Sequence, residues 1–199
     1  DKERGFELLK ETGIKGDTDR IIGVSVRKSH GMVQECEQRI ARVCDYAVRK
    51  YGCKIVFVPM QSSRDEGISR SIMAKMKNRS SIIDTRLNVR DMISVVSSFD
   101  LCIGMRLHSL IYAASNNVPI IGLSYDPKIK SFMQYSGQEM YMDISAIDEE
   151  KLCKWIDMCF TERDKISGKL SQSCERLRKK ASMNGQYAVE LYEKGSVDV

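Results

Sequence analysis

The chain has 199 residues, a length that suits one domain, and its 42% hydrophobic and 30% charged content is that of an ordinary globular chain with material for one core. Against 27 acidic residues stand 32 basic ones, a formal net charge of +5, compatible with an anionic ligand, an acidic membrane surface or nucleic acid and decisive for none. No apolar run approaches the roughly 20 residues of a membrane span, no charged-then-apolar leader is present, and neither an aromatic RNA-binding signature nor a helix-turn-helix cue points to nucleic acid.

In chain order, short apolar β-branched runs alternate with amphipathic stretches. The runs are IIGVSV (21–26), KIVFVP (54–59), SSIID (80–84), DLCIG (100–104) and VPIIGLS (118–124), with a weaker sixth, EMYMDIS (139–145), placed as an edge strand. Between them Val33, Cys36, Ile40, Val43, Ala47 and Tyr51 form one helical stripe, Ile68, Ile72 and Met76 a shorter one, and Val89, Met92, Ile93 and Val96 a third with Asn88 as its N-cap. Leu152, Trp155, Ile156 and Cys159 follow the acid-rich start Asp148-Glu149-Glu150. Leu170, Cys174, Leu177, Ala181, Asn184, Ala188 and Leu191 then mark a long helix, expected to pack along the flank of the domain rather than to form a coiled coil. This alternation predicts an α/β fold, a Rossmann-like doubly wound parallel sheet with helices on both faces.

Seven cysteines, Cys36, Cys44, Cys53, Cys102, Cys153, Cys159 and Cys174, are odd in number and contain no CxxC pair. Several fall on apolar stripes, so they read as reduced core thiols in a cytoplasmic protein, and zinc is not expected.

For a strand order of 3-2-1-4-5, the loops after strands 1 and 4 separate and leave a crevice at their carboxyl ends. Strand 1 ends in Val26-Arg27-Lys28-Ser29-His30 and strand 4 in Gly104-Met105-Arg106-Leu107-His108, so two basic clusters are expected to face each other above two helix N-termini. Helix N-termini already carry positive partial charge, so further cations there point to an anionic occupant. On a helical wheel Leu107, Leu110, Ile111 and Ala114 form the buried stripe, which turns His108 outward beside Tyr112. Arg106 and His108 are the strongest candidates; Arg27 fits equally a ligand or an ion pair, and His30 reads better as a solvent-exposed loop residue.

Two more stretches rim that face. PMQSSRD (59–65) offers Gln61, Ser62, Arg64 and Asp65, and is read first as a polar turn entering a helix; SYDPK (124–128) offers Tyr125 and Lys128, with Asp126 as a helix cap and Lys128 open to crevice or water. With neither GxGxxG nor GxxxxGK[ST] present, a NAD-dependent dehydrogenase and a P-loop NTPase are both disfavoured.

The stretch DLCIGMRLHSLIYAASNNVPIIGLSYDPKIKSFM, with IIGVSVR and VFVPMQ before it, resembles the carboxy-terminal half of the polysaccharide pyruvyl transferase family, in particular the members that modify the S-layer-anchoring cell-wall polymer, over about residues 21–137. Arginine, any residue, histidine after a glycine-ended strand, then a small-residue helix and YDPK, is the signature. The resemblance implies a domain equivalent to the C-terminal one of a two-domain GT-B-like enzyme, with residues 1–20 as a lead-in from an N-terminal domain outside this sequence and 146–199 as C-terminal helices. It implies transfer of a pyruvyl group from phosphoenolpyruvate to two sugar hydroxyls of a polysaccharide or lipid-linked saccharide, an activity that needs the N-terminal half. Phosphoenolpyruvate is then the donor substrate, with no cofactor and no metal. His108 would be catalytic, and Arg27, Arg106, Lys128, Gln61 and Tyr125 would bind substrate. The expected location is the cytoplasm, free or peripheral at the inner face of the cell membrane. Two other readings stay open: a nucleotide-sugar-dependent glycosyltransferase or epimerase half-domain, and a non-catalytic binding domain of the same fold.

Overall fold

The computed structural model describes residues 1–29, 33–83 and 86–195; His30 and the predicted end of the third strand at Asp84 lie outside them. Six strands form one sheet: β1 (Ile21–Ser25), β2 (Lys54–Phe57), β3 (Ser80–Ile82), β4 (Leu101–Gly104), β5 (Ile120–Ser124) and β6 (Tyr141–Asp143). Every pairing is parallel and the order is β3-β2-β1-β4-β5-β6. The predicted order therefore holds and the weak sixth run is the edge strand. β1, β4 and β5 are buried on both faces, which is why they read as continuous apolar runs rather than alternating ones.

Two helical layers cover the sheet. On one face lie α2 (Gln34–Tyr51), α3 (Ser62–Met73) and α7 (Glu149–Thr161), which meet it through residues such as Ile40, Ile72 and Leu152. On the other lie α1 (Lys2–Leu9), α4 (Val89–Ser97), α5 (Leu107–Ser115), α6 (Pro127–Tyr135) and the start of α8 (Arg163–Gly195), through Leu9, Val95, Leu110, Met133 and Leu170. Asn88 caps α4 by accepting from the Asp91 amide, and Asp148 caps α7 in the same way from Lys151. Six of the seven free cysteines are buried in these layers, and burial pushes the Cys53, Cys102 and Cys159 thiols up to about 12.

α1 docks closely on α4. A Cβ on Gly5 would stand 2.1 Å from the Ser94 carbonyl oxygen, and Ser98 donates to the Lys2 carbonyl. α8 packs along the flank at its start and leaves the rest of its stripe open. Leu170 and Cys174 are buried and Leu177 is half-buried, but Ala181, Asn184, Ala188 and Leu191 are exposed. The reason is length: at 1.5 Å per residue the 33-residue helix far outruns the nine-residue α5 on which it rests. The contact ends where Arg178 donates to the Ser115 carbonyl at the carboxyl end of α5, a favourable place for a cation.

Asp45 ties the turn after α3 to α2. The buried carboxylate accepts from the Lys77 amide, the Asn78 amide and the Asn78 side chain. Burial pushes its pKa up, the three donors outweigh that, and the net shift is downward. Its contribution is therefore complete above the ordinary carboxylate range near pH 4 and is lost as pH falls through the depressed folded value. Asp45→Asn is expected to lower stability at pH 7 by about 2 kcal/mol, with the difference from wild type shrinking below about pH 4. Urea titrations across that range check it; a difference independent of pH would contradict it. Gly5→Ala should cost about 1–3 kcal/mol through overpacking against α4, read in the same titrations, and a neutral result would mean that α1 shifts freely.

Candidate anion-binding site

The chains leaving β1 and β4 run to helices on opposite faces of the sheet, so a crevice opens between them. A cavity of about 580 Å³, within the usual range for ligand pockets, adjoins it on the side of α2 and α3: Arg27, Lys28 and Arg106 line it from the two strand exits, and Glu37, Arg64, Asp65, Gly67, Ile68 and Ser71 from the helices. Arg27 and Arg106, from distant parts of the sequence, thus reach one cavity.

Arg106 occupies the N-cap position of α5 in extended conformation and makes no capping bond. Its guanidinium turns instead toward α3. Nε donates to Asp65 Oδ2 at 2.8 Å, Nη2 donates to Asp65 Oδ1 and, at 3.0 Å, to Gln61 Oε1. Asp65 is fully buried, and it also accepts from the Gln61 amide at the start of α3, where a carboxylate suits the helix dipole. This two-bond fork fixes the plane of Arg106 and leaves both Nη1 hydrogens without a partner among the described residues. Asp65, read from sequence as part of a polar turn, is therefore the residue that aims Arg106. Its one sequence signal is an acid in the first turn of a helix, which does not reveal a partner at the start of α5.

Arg27 is steadied by Tyr125. Its Nη1 donates to the tyrosine hydroxyl at 2.6 Å and its guanidinium carbon stands 4.6 Å from the ring centroid. Glu37 is bound to Lys75 at 2.7 Å and accepts from Ser71. Burial raises its pKa, while Lys75, Ser71 and the nearby Lys28 charge lower it further than burial raises it. Both carboxylates of the cavity are thus committed, and among the described residues Arg27, Lys28 and Arg64 make no salt bridge, Lys28 acting on Glu37 only at longer range. The cavity is electropositive.

His108 is exposed on the first turn of α5, its ring 6.1 Å from that of Tyr112, on the outward side that the helical wheel gives and not among the cavity-lining residues. Lys128 is exposed on the first turn of α6, where Asp126 accepts from its amide as the helix cap. Gln61 and Tyr125 bond to the two arginines. A larger hollow of about 860 Å³ lies along the β3 edge, where Arg70 pairs with Glu66 and Arg4 with Glu7. Among the described residues no cluster of three or more His, Cys, Asp or Glu side chains could hold a metal, and no helix is long and apolar enough to cross a membrane.

This is the Rossmann-like fold of GT-B glycosyltransferases and epimerases, with C-terminal helices added. The glycosyl transferase family 9 structure from Veillonella parvula superposes with a TM-score of 0.60 at 20% identity, covering 81% of this chain and 51% of that one. UDP-GlcNAc 2-epimerase from Neisseria meningitidis, bound to UDP-GlcNAc, gives 0.62 at 8% identity, with 89% and 48% covered. The Methanocaldococcus jannaschii UDP-GlcNAc 2-epimerase gives 0.57 at 15%, with 77% and 42% covered. The chain spans about half the length of these proteins or less, and at such identities the likeness concerns the fold alone. No curated protein matches the sequence. The polysaccharide pyruvyl transferase family model matches residues 5–127, and the chain belongs to that family. The match starts earlier and stops sooner than the 21–137 stretch that carried the resemblance, taking in most of α1 and ending at the first residue of α6.

If Asp65 is the anchor of Arg106, Asp65→Ala is expected to destabilise the protein by about 3 kcal/mol, because it strands a partly buried cation. Arg27→Ala should lose about 1 kcal/mol or less, since only the tyrosine contact goes. Equal losses in chemical denaturation would contradict this division between scaffold and ligand-facing arginine.

Proposed function

We propose that the cavity between Arg27 and Arg106 binds phosphoenolpyruvate, and that the protein transfers its pyruvyl group to two hydroxyls of a polysaccharide or lipid-linked saccharide as a cyclic ketal. The observation that carries this reading is the convergence of two guanidinium groups, with Lys28 and Arg64, on one cavity in a chain of this family. Phosphoenolpyruvate presents a carboxylate and a phosphate a few ångströms apart, and guanidinium forks match both groups in bidentate fashion.

The reaction adds one sugar hydroxyl to C2, protonates the C3 methylene to a methyl, expels phosphate and closes the ring with the second hydroxyl. Of the two hydroxyl protons, one balances the proton gained at C3 and the other leaves with phosphate or solvent. No electron changes hands, so the scheme calls for no cofactor. Negative charge grows on the departing phosphate, where preset cations act most strongly because they need not reorganise. Arg106, held by Asp65 and Gln61, and Arg27, held by Tyr125, are preset in that sense. His108 on the rim is the proposed acid–base group, imidazole being the side chain suited to proton transfer near neutral pH. Lys128, on the first turn of α6, is the further cation proposed to add charge to the bound donor. The acceptor is assigned to the remaining half of a two-domain enzyme, and the cell location to the cytoplasm, free or at the inner face of the membrane.

In the complete protein His108→Ala should lower kcat by about 10²–10⁴-fold with donor affinity little changed. Arg106→Ala should weaken donor binding strongly, and Arg106→Lys should fall between because a point charge cannot replace the fork. Ketal formation and donor titration read both; unchanged turnover in His108→Ala removes its role. Thermal unfolding should shift upward with phosphoenolpyruvate more than with UDP, and the reverse order would favour a nucleotide-sugar enzyme.

A further inference from the structure

Among the described residues, the side-chain nitrogen and oxygen atoms that are buried without a hydrogen-bond partner are Ser25 Oγ, Arg27 Nε and Ser29 Oγ. They occupy alternate positions of a single five-residue stretch, where the chain leaves β1 for the crevice. Other buried serines do find a carbonyl: Ser69 donates to Asp65, Ser97 to Ser94 and Ser109 to Arg106. An unmet buried donor is destabilising, and native structures rarely keep one without a use for it. Three in one short stretch, the middle one on an arginine that lines an electropositive cavity, are therefore unlike the rest of the molecule.

Their setting indicates what would meet them. Ser25 is fully buried and stands in register with Gly104 on β4, and residues in register on neighbouring strands project to the same face. A Cβ on Gly104 would point at Ser109 Oγ and Leu110 in the first turn of α5. The Ser25 hydroxyl accordingly lies on the α5 side of the sheet, next to the start of a helix that has no side-chain cap. Arg27 lines the cavity itself and spends Nη1 on Tyr125, while its Nε–H is uncommitted.

We propose that the Ser25 and Ser29 hydroxyls and the Arg27 Nε–H form a subsite for a phosphate-type oxyanion, and that it receives the phosphate of the donor while Arg106 takes the carboxylate. This rests on the donor-site reading above. Three separate single donors suit a tetrahedral group with three terminal oxygens, whereas a planar carboxylate suits the coplanar hydrogens of one guanidinium. The hydroxyls contribute no charge, so they hold the phosphate without opposing its release as strongly as a further cation would.

The test uses Ser25→Ala and Ser29→Ala, singly and together, with inorganic phosphate, phosphoenolpyruvate and pyruvate as probes and the ligand-free thermal midpoint as a second readout. Removing a hydroxyl that nothing satisfies should leave that midpoint unchanged or raise it slightly, whereas removing a structural hydroxyl would lower it. Dissociation constants for phosphate and phosphoenolpyruvate should rise about ten-fold in the double variant, with pyruvate unaffected. Unchanged phosphate affinity in the variants, a lowered midpoint with ligand binding intact, or no phosphate binding by the wild type would each overturn the subsite. If phosphate binds and is lost in the variants while phosphoenolpyruvate does not bind the wild type, the subsite stands and the pyruvyl reading fails. If phosphoenolpyruvate binds equally to wild type and variants, the reading survives and the subsite does not.

Discussion

The adjacency of β1 and β4 is the constraint from which the site follows. The two strands lie side by side and parallel, with Ser25 opposite Gly104, yet the chain from β1 enters the layer of α2 and α3 while the chain from β4 enters the layer of α5 and α6. Two chains that part from neighbouring points to opposite faces leave a gap that neither fills. Whatever side chains the two exits carry must then look into that gap, and here they carry Arg27, Lys28 and Arg106.

Such a concentration of cations repels itself, and the fold moderates it with two carboxylates in the same lining, Asp65 and Glu37. Asp65 grips Arg106 from α3, and Glu37 on α2 is satisfied by Lys75 and Ser71. Both acids are used up in local pairs, so they position cations without neutralising the cavity as a whole. A buried pair of this kind is weak evidence for stability taken alone. Its value here is orientational: it holds one guanidinium plane fixed while leaving two of its hydrogens for a ligand. At the β1 exit, Ser25, Arg27 and Ser29 add buried donors that no protein group among the described residues receives.

The strands were legible because both faces are covered, which leaves each of them an unbroken apolar run such as Ile21-Ile22 or Ile120-Ile121. From those runs the order and the crevice follow by the ordinary rules of winding, and the outward turn of His108 follows from a helical wheel. Less was legible where a contact joins distant segments. Nothing in PMQSSRD tells that Asp65 will be buried under an arginine 41 positions on, and nothing in VRKSHG tells that two serines will be left without partners. The long final stripe was legible as a helix on the flank, but not the point where its cover ends. Spacing reports which side chains share a face of α8, but the length of surface available to cover that face is set by α5, which ends too soon.

Crystallising the complete protein with phosphoenolpyruvate tests the central claim most directly. The account predicts the ligand in the crevice at the carboxyl ends of β1 and β4, with Arg27 and Arg106 both within hydrogen-bond distance of its oxygens and the Asp65 fork unbroken. Ligand bound elsewhere, for example along the β3 edge, or Arg106 still facing only Asp65 and Gln61 with the donor out of its reach, would contradict it.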